Sequence, residues 1–179
     1  MSNPVIQALM DRRSVRVYTD EAVSQKDLDT VLECAINSPS AMNNQPWHLT
    51  VIKDRAWLDK MNLAVRAGVQ AQDASRTFKD EDDFFYHAPI AVFVSAKNGG
   101  AGTDCGMLTQ NFCIAAQGLG LGTCVIGMAM VAINGKDGES FLADMKLPEG
   151  YRPHYAIILG HPGETPAAKP RDAAKVSYM

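Results

Sequence analysis

The chain has 179 residues, 46% hydrophobic and 21% charged, which is enough for one well-buried core and too little for two. This composition excludes a disordered segment and removes any need for disulfide or metal staples. Seventeen Lys and Arg against twenty Asp and Glu leave a formal net charge of −3, an unfavourable balance for nonspecific nucleic-acid binding.

In chain order, Asn3 reads as a helix N-cap with Pro4 at the first helical position, and Val5, Ile6, Leu9 and Met10 share one face. A basic loop, Arg12-Arg13-Ser14-Val15-Arg16, follows. Ser24 opens a second helix with Asp27 three residues on, and Leu28, Val31, Leu32, Ala35 and Ile36 form its apolar stripe. Asn37-Ser38-Pro39-Ser40 ends it, because Pro39 disfavours helix at the preceding residue. Trp47 to Lys53 is strand-like, and Asp54 caps a helix through Leu58, Met61 and Val65. The polar stretch from Gln70 to Tyr86 reads as a mobile helical flap or a loop rather than core. Pro89 introduces Ile90 to Ala96, a strand buried on both faces. A long helix is predicted over Thr103 to Leu119, apolar around most of its circumference and therefore central. Gly120-Leu121-Gly122 breaks it, then come a strand over Thr123 to Ile126, a helix near Glu139 to Met145 and a strand near His154 to Leu159. The tail from Gly160 to Met179 carries no core of its own. With no repeat or dividing linker, residues 1–179 read as one α+β domain, a sheet covered by helices.

No apolar run approaches the ~18 residues of a spanning helix, and MSNPVIQALMDRRS lacks the basic-then-apolar pattern of a signal peptide. The four cysteines, Cys34, Cys105, Cys113 and Cys124, form no CxxC and sit in apolar or helical surroundings, so buried, reduced thiols are expected, with metal ligation or a disulfide as the alternative. These features predict a cytoplasmic protein with no membrane and no nucleic-acid partner.

Two basic clusters lie at opposite ends of the chain: Arg12, Arg13 and Arg16, and Lys169, Arg171 and Lys175. Brought together they would make a strong anion site, since guanidinium groups hold phosphate oxygens in paired, charge-assisted hydrogen bonds, and Ser14 adds a hydroxyl. Either cluster alone also reads as ordinary solvated charge. The amide-rich loop Ser38-Pro39-Ser40-Ala41-Met42-Asn43-Asn44-Gln45-Pro46-Trp47 can present donors to a heterocycle, or simply connect a helix to a strand. Gly118, Gly120 and Gly122 close a helix and precede a strand, the reverse of a dinucleotide fingerprint. Gly99, Gly100 and Gly102 precede a helix without completing a nucleotide loop. His48, His87, His154 and His161 show no metal-ligand spacing.

Together these pieces resemble the nitroreductase family of FMN-dependent oxidoreductases. The resemblance rests on Arg12-Arg13-Ser14-Val15-Arg16, on Ser38-Pro-Ser-Ala-Met-Asn-Asn-Gln-Pro-Trp47, on the long helix entering Gly120-Leu-Gly-Thr-Cys-Val-Ile-Gly127, and on Lys169-Pro-Arg171. It implies an α/β/α sandwich, a mostly antiparallel central sheet flanked by helices with a long buried central helix. It also implies a homodimer with FMN at the interface and NAD(P)H as co-substrate. In that picture Arg12, Ser14, Lys169 and Arg171 hold the FMN phosphate and ribityl chain, and Arg16 and Asn43 reach the pyrimidine side of the ring. Pro39, Ser40 and Ala41 approach from the other subunit, and Val125, Ile126 and Gly127 run beside N5. Arg13 and Gln45 belong to the same cofactor-binding set, and no metal is implied.

The activity implied is two-electron reduction of nitroaromatics, quinones or similar small-molecule acceptors in a ping-pong cycle, with the hydride chemistry carried by the flavin and no catalytic protein acid or nucleophile. Two features differ from the family pattern: the chain is compact, and Ile126 stands where many relatives carry an acidic residue. The alternatives are an FMN-dependent reductase of another class (dehalogenating or enoate-type) and a flavin-binding or regulatory protein with incidental turnover. In the first reading Phe84 or Phe85, on a mobile cover, stacks on an aromatic acceptor; otherwise these rings pack into the dimer.

Overall fold

The helix starts follow from local side-chain caps. Asn3 Oδ1 accepts from the N–H of Val5 at 2.9 Å to open α1 (Pro4–Asp11), Ser24 Oγ accepts from Asp27 N at 3.0 Å to open α2 (Gln25–Ile36), and Asp54 accepts from Trp57 N at 3.2 Å to open α3 (Arg55–Gln72). The structure, a computed structural model, describes residues 3–97 and 101–179, so Gly99 and Gly100 lie outside the described residues.

The remaining elements are β1 (Trp47–Ile52), β2 (Ile90–Lys97), α4 (Gly102–Gly118), β3 (Gly122–Ile126), α5 (Ala129–Ile133), α6 (Gly138–Met145) and β4 (Tyr151–Gly160). The strands form one antiparallel sheet in the order β1-β2-β4-β3. Of the two central strands, β2 is buried at every position from Ile90 to Ala96 and β4 from Ala156 to Gly160. The alternation of β2 divides the core. Ile90, Val92, Val94 and Ala96 pack with α2 and α4, whereas Ala91 and Phe93 pack with α3, α5 and α6. The result is the expected α+β sandwich, a sheet between two helical layers.

Helix α4 is less uniformly covered than its composition predicts. Cys105, Leu108, Thr109, Phe112, Cys113 and Ala116 are buried, while Gly102, Thr103, Gly106 and Gln110 stay exposed in the single chain. It ends where expected: Gly120 takes φ +75°, and Leu121 N–H reaches back to Ala116 O at 2.8 Å.

Two features differ from the expectations. The short helix α5 falls within an apolar run that gave no helical signal, being only five residues long. Cys34 is exposed, because the apolar stripe of α2 passes through Val31 and Ala35 and leaves its neighbour outside; all four thiols are free. The stretch from Gln70 to Tyr86 is a loop beyond the end of α3, one of the two expected readings, but part of it enters the core. Its first residues finish α3, and Phe85 is wholly buried, its ring 6.4 Å from that of Phe93.

Candidate functional site

The segment after α1 runs extended along β3, the edge strand of the sheet. Val15 N–H donates to Thr123 O at 2.9 Å, and Ser14 forms a parallel bridge with Thr123. In an extended chain, residues two apart share a side, so Val15 turns inward while Arg12, Ser14 and Arg16 face the other way. Val15 is buried tightly enough that a Cβ on Gly122 would come within 2.9 Å of it. Burial pushes the Cys124 thiol up, and the charges of Arg16 and Arg12 and the Ser14 hydroxyl act against that rise. Arg13 points elsewhere: its Nη1 donates to Met10 O at 2.7 Å and Arg12 O at 2.8 Å, closing the end of α1.

The far side of this segment is held by the chain leaving β4. Thr19 N–H donates to His161 O at 3.0 Å, Gly163 N–H to Val17 O at 2.8 Å, and Glu164 Oε1 accepts from the Arg16 N–H at 2.6 Å. Tyr18 donates its hydroxyl to Val15 O at 2.8 Å, and burial pushes this phenol far up. Glu164 and Tyr18 were not legible as site residues, since the Glu164 contact joins positions 148 apart in sequence. Arg12 and Arg16 form no ion pair with any described residue.

The amide-rich loop is a turn of strained backbone. Met42, Asn43 and Gln45 adopt φ of 53°, 54° and 45°, the left-handed region that costs a non-glycine residue free energy. Ser40 Oγ accepts from Gln45 N–H at 2.9 Å, Gln45 Nε2 leans on Asn43 O at 3.4 Å, and Asp104 at the start of α4 accepts from Ala41 N–H at 3.4 Å. Pro39, Ala41 and Asn43 are exposed, while the Ser38 hydroxyl is buried with no hydrogen-bond partner among the described residues.

At the end of β3, Val125 and Gly127 are exposed and Ile126 is buried, so Ile126 offers this surface its backbone only. Lys169 and Arg171 lie in an exposed tail whose polar contacts are local: Arg171 Nη1 to Lys169 O at 3.5 Å, and Lys175 to Asp172 at 3.9 Å. No hydrogen bond or ion pair of the described residues joins this cluster to Arg12, Arg13 and Arg16.

Beyond Arg16 lies a turn that sequence reading missed as structure. The Asp83 carboxylate, almost fully enclosed, accepts from Arg55 Nη2 at 2.9 Å, Phe85 N–H at 2.8 Å and His87 N–H at 2.9 Å. Tyr86 presents its ring to the Arg16 guanidinium, 5.9 Å from the centroid.

The fold is an antiparallel sheet between two helical layers, with Arg12 and Arg16, which form no ion pair among the described residues, along its β3 edge. A profile of the nitroreductase family matches residues 9–161, and the chain belongs to that family. A nitroreductase with bound FMN from Desulfitobacterium hafniense superposes with a TM-score of 0.89 at 28% identity, covering 100% of both chains. The chain is 30% identical over 185 residues to an FMN reductase [NAD(P)H] of Bacillus subtilis, covering 94% of this chain and 70% of that one. It is 29% identical over 178 residues to an oxygen-insensitive NADPH nitroreductase of Salmonella typhimurium, covering 97% and 72%.

Proposed function

We propose that this chain is an FMN-dependent oxidoreductase that takes two electrons from NAD(P)H and delivers them, in a ping-pong cycle, to nitroaromatics, quinones or similar acceptors. The observation that carries the reading is the β3 edge: two guanidiniums that form no ion pair among the described residues flank one hydroxyl on a single extended segment. That donor set fits a flavin mononucleotide, which needs cations for a dianionic phosphate and a positive group near an electron-rich ring.

Arg12 and Ser14, with Lys169 and Arg171 drawn in from the tail, hold the phosphate and ribityl chain. Arg16 and Asn43 face the pyrimidine side, and Arg16 favours the anionic reduced ring. Val125, with the backbone of Ile126 and Gly127, supports the ring near N5, where the absence of a side chain on Gly127 leaves room for close approach. Pro39, Ser40 and Ala41 reach the flavin of a second copy. Arg13 keeps the segment in register by closing α1, and Gln45 braces the loop carrying Asn43. Bound FMN supplies reversible hydride transfer at N5, so no protein nucleophile is required. A nitro acceptor gains two electrons and two protons and leaves as a nitroso compound and water, while NAD(P)H leaves as NAD(P)+.

The test is the absorbance spectrum of the purified protein, followed by anaerobic titration with NADH and NADPH. Flavin bands that bleach with a nicotinamide and return with a quinone or nitroaromatic are expected. A colourless preparation with no thermal shift in added FMN overturns the flavin; slow bleaching by both nicotinamides favours a flavin-binding role with incidental turnover.

A further inference from the structure

Arg16 lies between two stretches that are held by backbone hydrogen bonds. On one side Val15 N–H goes to Thr123 O of β3; on the other, Val17, Tyr18 and Thr19 pair with the chain leaving β4. The N–H of Arg16 itself goes to a side chain, Glu164 Oε1, at 2.6 Å, the short distance of a charge-assisted bond. The Arg16 guanidinium has weaker holds: Nη1 donates to Ser14 O at 3.4 Å, and the Tyr86 ring centroid is 5.9 Å away. Where that cation points is therefore set largely by the backbone that Glu164 grips.

Glu164 is half-buried, and apart from Pro166 every residue after it is exposed, so it is the last polar anchor before the tail. It forms no ion pair with any described residue. Arg13, which lines the same hollow, spends its guanidinium on the carbonyls of Met10 and Arg12. The Glu164 charge is thus not cancelled at close range. Burial raises both the Tyr18 phenol and the Cys124 thiol; Glu164 adds to the rise in each, and Arg16 acts against it. The two charges bear on the same ground with opposite sign.

An amide oxygen in place of the carboxylate would accept the Arg16 N–H equally. What the carboxylate adds is its charge. A negative charge beside a flavin opposes the anionic reduced ring that Arg16 favours.

We propose that Glu164 is a positioning residue of the flavin site: its oxygen holds Arg16 toward the cofactor, and its charge offsets part of the Arg16 charge, lowering the reduction potential. The proposal rests on the flavin reading above, which assigns Arg16 to the ring and gives Glu164 no part.

The experiment separates the two roles with Glu164→Gln, which keeps an oxygen and loses the charge, and Glu164→Ala, which loses both. In the FMN-loaded protein, Glu164→Gln should keep at least native FMN affinity and raise the two-electron potential by about 20 mV. That is a roughly fivefold gain for the reduced form, the upper end for a partly screened charge. Glu164→Ala should also raise the potential, and it should weaken FMN binding roughly fivefold, because the segment then holds the binding geometry only part of the time. A loss of fold stability alone would not raise the potential of Glu164→Gln. A native potential in Glu164→Gln overturns the proposal, and so does native FMN affinity in Glu164→Ala. Glu164→Gln carries the test of the charge if Glu164→Ala does not fold. Hydrogen exchange at the Arg16 amide reads the clasp without cofactor: protection should survive in Glu164→Gln and fall in Glu164→Ala. That pattern in a protein that takes up no FMN keeps the clasp and removes the flavin reading. A native flavin that NAD(P)H reduces, with an unaltered potential in Glu164→Gln, removes this proposal alone.

Discussion

Arg12 and Arg16 sit on one side of an extended segment and differ in their surroundings. Arg12 is half-buried and its charge holds down the raised pKa of the Cys113 and Cys124 thiols, whereas Arg16 is exposed, with Tyr86 beneath it. In the proposed site they do different work. Arg12→Ala or Arg171→Ala removes a charge-assisted contact to phosphate and should weaken FMN binding by roughly 1.5–3 kcal/mol each. Arg16→Ala should lower the flavin reduction potential more than it lowers affinity, because its charge favours the reduced, anionic ring. Fluorescence titration of the flavin-free protein gives the first quantity, and equilibration with redox dyes gives the second. Native affinity and potential in all three variants would show that the cofactor sits elsewhere. Arg12 and Ser14 were named together from sequence through the run Arg12-Arg13-Ser14-Val15-Arg16 that carries the family resemblance; that they share one side of an extended segment is seen only in the fold. The role of Arg13 was not, since only the folded turn shows its guanidinium spent on the carbonyls of Met10 and Arg12.

Among elements, the connector from α3 to β2 separates what sequence can and cannot reveal. The caps at Asn3, Ser24 and Asp54 and the stop at Gly120 were legible because each depends on residues within a few positions. The connector is polar and weakly periodic, yet Asn62, Arg66 and Arg55 supply the hydrogen bonds its backbone and Asp83 need. A segment satisfied by side chains from another element gives no periodic signal of its own, so it read as a flap or loop and its anchoring to α3 was invisible. The same anchoring divides the two neighbouring aromatics. Phe85 fills the core beside Phe93, whereas Phe84 stays half-buried against Phe78. Phe85→Ala should therefore cost about 3–5 kcal/mol in urea unfolding. Phe84→Ala should cost much less and raise the KM for aromatic acceptors. Equal destabilisation by the two would mean that Phe84 is core as well, and the acceptor role assigned to it would fall.

At the scale of the molecule, the single chain leaves apolar surface uncovered. Val5, Ile6, Leu9 and Met10 on α1 are 60%, 59%, 47% and 69% exposed, and Met42 in the amide-rich loop is 93% exposed. One face of α4 is open as well, with nothing within 4 Å of where a Cβ would sit on Gly106 or Gly118. Ala116 is fully buried in the chain's own core, and Ala115 is half-buried. Scattered exposed apolar residues are ordinary, but a whole amphipathic helix with its apolar side outward needs a cover. A second copy of the chain meets that need in the proposed reading and brings Pro39 to Ala41 to its neighbour's flavin. The expectation is a twofold dimer with an apolar interface above ~2,000 Å². Because the cofactor would touch both copies, it should bind the dimer and not the separated chain, so by mass action FMN at about a hundred times its dissociation constant stabilises the assembled state by roughly 2.7 kcal/mol. Sedimentation velocity over a dilution series, recorded at protein and flavin wavelengths, measures this directly. Dissociation should begin at higher protein concentration without FMN than with it, and flavin absorbance should travel with the dimer alone. A monomer that retains flavin at undiminished affinity would sink the shared site and leave the apolar face of α1 for another partner.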